Sequence, residues 1–183
     1  DGERIIAALS LDPRVIGDIA ERDGKRPKLF GVAATSDGYA LTFGLSPFAE
    51  PSTRAGRRFA KPAEGMEVVG AAKATGVEPV ICATKQGRVL LTPVNDINYL
   101  SGPGKGVVLV KLDDKDDALV GFIVAKDKKQ PLVLESSGGG ERSVTAADYK
   151  PTGRGGKGHE LLKRGTFVRA IPQPPEAPAP LEA

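Results

Sequence analysis

The stretch PTGRGGKGHE, residues 151–160, sets Gly153, Gly155 and Gly158 in a GxGxxG pattern around Arg154 and Lys157. Glycines at this spacing can cradle a dinucleotide phosphate. That chemistry requires a strand before the motif, a helix after it and an acidic residue about twenty positions on, and the surrounding sequence supplies none of them. Other reactive side chains are as sparse. Cys82 is the single cysteine and His159 the single histidine, so an intrachain disulfide framework and a cysteine-rich zinc site are excluded. Neither residue sits where a neighbour would activate it as a nucleophile or base. Asp113, Asp114, Asp116 and Asp117 have the density of a calcium loop but lack the glycine at the sixth position and the closing glutamate. No catalytic residue and no metal ligand is assigned.

The elements around these residues are small and repeated. At 183 residues and 40% hydrophobic content the chain can bury a substantial core as one domain or one array of small units. No apolar run approaches the ~20 residues of a membrane span, and the start DGERIIAALSLDPR lacks the basic and apolar regions of a secretory signal. Beginning at Asp1 without a methionine, the sequence is expected to be a segment of something longer. A lone cysteine fits a reducing cytoplasm. The terminal IPQPPEAPAPLEA is Pro-rich and aperiodic, and residues 172–183 are read as a disordered tail. Its two glutamates set aside, the formal charge rises from +3 to +5.

Residues 29–70, 80–121 and 132–170 align with one another. Ala34-Thr35 falls on Ala83-Thr84, Gly38 on Gly87 and Gly139, and Phe48 on Ile97 and Tyr149. Gly104, Lys105 and Gly106 recur as Gly156, Lys157 and Gly158, at the constant offset of 52 that also relates Gly87 to Gly139. Within a unit the hydrophobic period is two, and short runs are broken by Gly, Asp, Asn and Pro. Strands are expected at 4–10, 29–35, 39–43 and 58–61 in the first unit, at 67–72, 79–84, 89–93 and 107–112 in the second, and at 118–124, 132–134, 141–144 and 160–163 in the third. Residues 167–171 read as the opening strand of a fourth unit. Four short strands per fifty residues is the pattern of propeller blades. Helical spacing of Val15, Ile16 and Ile19 adds one short helical insertion near residues 13–22. The SSGGGE turn, 136–141, reads as a looser hairpin than Lys85-Gln86-Gly87. The fold class is all-β, with about three four-stranded blades: blade 1 with the insertion at 1–65, blade 2 at 66–117, blade 3 and a closing strand at 118–171. An open arc, a small strand-exchanged ring and the last part of a larger domain all remain compatible with so few units.

Each unit places glycines and cations before its final strand: Arg54, Gly56, Arg57 and Arg58; then Gly102, Gly104, Lys105 and Gly106; then Arg154 to Gly158. Cations spaced to meet successive phosphates, with backbone amides freed by glycine, suit sequence-independent binding of duplex DNA. Lys61, Lys85, Arg88, Arg142, Lys150 and Lys163 extend the candidate set. The acidic connection at 113–117 reads as a face that repels DNA. Aromatic content of 5% argues against single-strand binding by stacking, and Phe43, Phe48, Tyr99, Phe122 and Tyr149 read as blade core.

ATKQGRVLLTPVNDI, GPGKGVVLVKL and DALVGF resemble the repeats in the C-terminal domain of the A subunit of bacterial type IIA topoisomerases, DNA gyrase and topoisomerase IV. The resemblance implies a β-pinwheel, a propeller-like ring whose blades exchange strands and whose rim bends DNA. In that family a box of the form Gln-Arg-Arg-Gly-Gly-Lys-Gly serves wrapping in the first blade. Thr152, Gly153, Arg154, Gly155, Gly156, Lys157 and Gly158 keep five of its seven identities, with Thr for Gln and Gly for the first Arg, and lie in the last unit. These departures favour topoisomerase IV over gyrase. The implied partners are duplex DNA, the ATPase B subunit and the remainder of the A subunit, in the bacterial cytoplasm at the nucleoid. ATP and Mg2+ belong to the parent enzyme and no cofactor to this segment. The competing reading is a protein-binding propeller scaffold without DNA contact; an enzyme built on a propeller lacks a converging acid, base and nucleophile.

Overall fold

The structure, a computed structural model, describes residues 5–172 apart from Gly17. Its framework is three β-hairpins built on one plan. β1 (Phe30–Thr35) and β2 (Tyr39–Phe43) form the first, β4 (Pro79–Thr84) and β5 (Arg88–Pro93) the second, β9 (Leu132–Ser136) and β10 (Glu141–Val144) the third. The first two are largely apolar runs and the third carries the polar Glu141-Arg142-Ser143 on its second strand; the three reverse at Gly38, Gly87 and Gly139, all with φ near +80°. In each turn that glycine's N–H donates to the carbonyl three residues back, Thr35, Thr84 or Ser136. SSGGGE therefore makes the same turn as Lys85-Gln86-Gly87, contrary to the looser hairpin its glycines imply.

The flanking strands come from the following unit. β3 (Val68–Ala74) pairs antiparallel with β1, β8 (Leu119–Val124) with β4, and β12 (Phe167–Ala170) with β9. On the opposite edge, β6 (Tyr99–Leu100) runs parallel to β2, β7 (Val107–Val108) runs antiparallel to it, and β11 (His159–Glu160) pairs with β5. The sheets are thus β3-β1-β2-β6 with β7 also on β2, β8-β4-β5-β11, and β12-β9-β10. Each takes its hairpin from one sequence repeat and its edges from the next. That is the strand exchange implied by the resemblance, with five, four and three strands among the described residues in place of a uniform four.

The strands of the first two hairpins are buried on both faces because their period of two feeds two cores. Val80 and Cys82 face the first sheet with Phe30, Val32, Ala34 and Leu90, whereas Ile81 and Ala83 face the third with Leu132, Leu134, Val144 and Phe167. Ala33, Leu41, Phe43 and Leu45 meet a third cluster containing Leu9, Leu11, Phe48 and Phe59. There the Phe43 ring lies where a β-carbon on Gly31 would fall 2.4 Å away. Each fully buried Leu, Ile or Phe contributes roughly 1.5–3 kcal/mol.

Several sequence expectations need correction. Residues 5–10 form no strand and are mostly exposed, with Leu9 packed against the cluster of Ala33, Leu41, Phe43 and Leu45, while Arg4 and residues 173–183 of the expected tail fall outside the description. The insertion forms one helical turn, α1 (Pro13–Ile16), rather than a helix near residues 13–22. The strand expected at 58–61 reduces to a parallel bridge between Ala60 and Gly104, and that at 160–163 to His159–Glu160. The strand expected at 107–112 ends at Val108, because Leu109 and Val110 N–H turn to donate to the Gly38 carbonyl at 2.8 and 3.2 Å. Leu161 and Leu162 do the same at Gly87, at 2.8 and 3.1 Å.

Candidate nucleic-acid interface

Two kinds of sheet edge set the geometry. β3, β8 and β12 pack against one another, closely enough that a β-carbon on Gly121 would meet the Ala170 β-carbon at 2.4 Å. Those edges point inward, and the edges carrying β6, β7 and β11 form the outside. The glycine and cation loops, 101–106 and 153–158, leave from this outer edge. Gly106, at φ +81°, would drive a β-carbon to 2.1 Å from the Ala40 carbonyl oxygen, and Gly158, at φ +71°, to 2.2 Å from that of Val89. Only glycine allows the loop to lie this close to the strand.

The loops also touch one another in series. Ala60, beyond the first loop, bridges Gly104 in the second, and Lys61 N–H donates to the Gly104 carbonyl at 2.8 Å. Val110, beyond the second, bridges Gly156 in the third, and Lys111 N–H donates to the Gly156 carbonyl at 2.8 Å. One repeated contact therefore lines the three loops along one rim.

The side chains on this rim are of two kinds. Lys105 pairs with Asp37 at 3.3 Å and lies 3.9 Å above the Tyr39 ring. Its repeat equivalent Lys157 pairs with Asp113 at 2.7 Å, and Arg88 pairs with the same carboxylate. Lys157 and then Arg88 hold the Asp113 carboxyl below the usual carboxylate range, and the same contact raises Arg88. Asp117, buried beside them, accepts the N–H of Gln86 and of Asp113 at 2.9 and 3.1 Å. The acidic connection is thus a built counter-anion for two of the expected DNA-binding cations, rather than a separate repelling face.

Arg54, Arg58, Lys61, Lys85, Arg142, Lys150 and Lys163 are exposed with no carboxylate partner among the described residues. Arg57 donates to the Pro47 carbonyl, and Arg154 to that of Asp96 at 2.7 Å, which fixes each guanidinium without neutralising it. Lys111 was missed by sequence reasoning. It is exposed and holds in the second unit the place of Lys61 and Lys163, the latter at the same offset of 52, a signal that was present in the repeat.

No active-site chemistry emerges around the lone thiol and imidazole. Cys82 is fully buried and burial pushes its thiol up to about 12. The His159 ring stacks on Tyr149 with centroids 4.6 Å apart. Among the described residues no group of three or more His, Cys, Asp or Glu is placed to hold a metal ion, and no helix is long and apolar enough to cross a membrane.

A strand-exchanged, propeller-like repeat domain with a rim of glycine and cation loops is the class that fold and site define. The family described as DNA gyrase C-terminal domain, beta-propeller matches residues 78–126, one repeat of the array. Among curated relatives, the DNA gyrase A subunit of Helicobacter pylori strain J99 is 26% identical over 160 residues, 86% of this chain and 19% of the relative. The DNA gyrase A subunit of Staphylococcus aureus is 30% identical over 112 residues, 59% of this chain and 12% of the relative. A crystal structure of the C-terminal domain of DNA topoisomerase IV superimposes with a TM-score of 0.69 at 15% identity, over 85% of this chain and 48% of that one. A structure of the DNA gyrase A C-terminal domain gives 0.65 at 23% identity, over 79% of this chain and 48% of that one. The chain is similar in fold to these gyrase A and topoisomerase IV C-terminal domains, and one of its repeats matches the gyrase C-terminal family. It spans about half the length of those solved domains and less than a fifth of the curated relatives it matches.

Proposed function

We propose that this domain is a non-catalytic accessory module that binds duplex DNA along its outer rim and bends it for the strand-passage core of a type IIA topoisomerase. The observation that carries the reading is the serial contact of the three loops, Ala60 to Gly104 and Val110 to Gly156. It turns separate cationic loops into one curved track, and phosphate contacts along such a track offset the few kcal/mol that bending DNA costs. Lys61, Lys111 and Lys163 recur along it as equivalent exposed charges. Under this reading the partners are duplex DNA, the ATPase B subunit and the rest of the A subunit in a bacterial cytoplasm, and ATP and Mg2+ belong to the parent enzyme. Thr152 and Gly153, where the wrapping box has Gln and Arg, favour topoisomerase IV over gyrase.

The test is affinity for a duplex of about forty base pairs across a salt series. The variant Lys61→Ala/Lys111→Ala/Lys163→Ala removes three equivalent charges and leaves the backbone hydrogen bonds of Lys61 and Lys111 in place. Loss of roughly two to three units from the log-log salt slope is expected. An unchanged slope, or weak binding insensitive to salt, would sink the DNA reading in favour of a protein-binding scaffold.

A further inference from the structure

The turns that precede β4 and β9 lie at the end of the sheets opposite Gly87 and Gly139, and the third unit carries a cluster of lysines at that end. In the turn 126–130, Asp127 Oδ1 accepts the N–H of Lys129 and of Gln130 at 2.6 and 3.0 Å, and Gln130 Oε1 accepts that of Lys126 at 2.7 Å. The turn that follows β10 is closed by the same chemistry: Asp148 Oδ2 accepts the N–H and the hydroxyl of Thr145 at 2.7 and 3.0 Å. One backbone bond, from Ala147 N–H to the Lys128 carbonyl at 3.1 Å, sets the two turns side by side. Both carboxylates are thus engaged within the turns. Lys128, Lys129 and Lys150 are exposed with no carboxylate partner among the described residues.

The fold does not require these lysines. In the second unit the equivalent turn closes on the Glu78 carboxylate, which accepts the N–H of Thr75, Gly76 and Val77, and the residues at an offset of 52 from Lys129 and Lys150 are Val77 and Asn98. The second unit has a neighbour on each side, and still Val77 is 88% exposed and Asn98 is exposed. Both positions therefore face solvent within an array as well as at its end, so a further unit beside the third would leave the lysines open.

The cluster is also continuous with the rim. Lys150 leads directly into the third loop, where Thr152 N–H donates to the Leu91 carbonyl at 3.0 Å, Arg154 to that of Asp96 at 2.7 Å, and Gly158 lies against Val89. The loop therefore climbs the outer edge of β5 from the lysine cluster towards the Gly87 turn. Lys163 lies beyond it at the other end, because Leu161 and Leu162 donate to the Gly87 carbonyl.

We propose that Lys128, Lys129 and Lys150 form a second phosphate-binding site for bound duplex DNA, at the end of the third unit away from the hairpin turns. The inference rests on the duplex-DNA reading above and extends it: at this unit the duplex is held across the height of the rim, and not only along Lys61, Lys111 and Lys163. Flexible lysine stems carrying compact charges suit phosphodiester contacts that fix the position of the duplex without reading its sequence.

Lysine acylation read by mass spectrometry, with and without a duplex of about forty base pairs, tests the site directly. Lys128, Lys129 and Lys150 should be protected together with Lys61, Lys111 and Lys163, while exposed Lys115 in the acidic connection stays reactive. The variant Lys128→Ala/Lys129→Ala/Lys150→Ala should lower the log-log salt slope by about two to three units, with circular dichroism confirming that it is folded. Protection of the rim lysines with these three as reactive as Lys115, or a variant with an unchanged slope, would overturn the inference and leave the duplex reading standing. Protection of neither set would overturn both.

Discussion

Gly106→Ala tests whether the rim loop is held by direct contact with the hairpin strand. Alanine at φ +81° carries the left-handed penalty of about 1–2 kcal/mol wherever it occurs. Here the added β-carbon would also lie 2.1 Å from the Ala40 oxygen, 2.7 Å from its carbonyl carbon and 2.9 Å from the Leu41 β-carbon. These are backbone and β-carbon atoms that cannot rotate away, so the loop must retreat by roughly 1.3 Å to reach the 3.4 Å of ordinary contact. That retreat breaks the Tyr39–Val108 and Ala40–Val107 pairing, worth about 2 kcal/mol at roughly 1 kcal/mol per net hydrogen bond. Gly65→Ala is the control, with φ +74° and nothing within 4 Å of its β-carbon. Urea unfolding should show losses of about 3–4 kcal/mol for Gly106→Ala and about 1–2 kcal/mol for Gly65→Ala, with unchanged m values. Against a typical total of about 5–15 kcal/mol the difference is readily resolved. Two variants agreeing within about 0.5 kcal/mol would refute the argument that the loop lies on the strand.

Other consequences concern charge and burial. Asp113→Asn removes the anion that compensates Lys157 and Arg88; duplex binding should tighten and its log-log salt slope should steepen by about one unit, and weaker binding would mean that Asp113 positions these cations rather than masking them. Burial raises the Glu78 carboxyl, but hydrogen bonds from the Thr75 hydroxyl and from the Thr75 and Gly76 N–H outweigh it and leave a net lowering. With the folded value below the unfolded one, its stabilisation is present above the ordinary carboxylate range and is lost as pH falls through the folded value; Glu78→Gln should cost about 1–2 kcal/mol at neutral pH and flatten the acid limb of the stability curve. Cys82, fully buried with its thiol pushed up to about 12, should resist a soluble thiol reagent in the native chain and react at a rate set by unfolding; rapid labelling under native conditions would contradict the packing.

The sequence by itself determined the repeat, the strand period, the turns at Gly38, Gly87 and Gly139, and the glycine and cation loops. All are local: a period of two, a residue that tolerates positive φ, and a constant offset of 52 can be read without knowing what lies opposite. It also marked Lys61 and Lys163 as rim charges, and Lys111 was legible by the same offset. Only the tertiary structure decided which strands share a sheet, because β3, β7 and β11 pair with hairpins from the preceding repeat and nothing in a strand's own residues names its partner. Short edges were over-read for a related reason. Residues 58–61 and 107–112 read as short strands from their apolar residues, but Val110 turns to the Gly38 carbonyl and Ala60 bridges a loop, competition that appears only when the units stack. The charges followed the same rule: Lys157 and Arg88 look like free cations in sequence, and folding sets Asp113, distant from both along the chain, against them. Gly106 and Gly56 share their local chemistry, and only the packed chain shows the first pressed onto a strand and the second with nothing beside it.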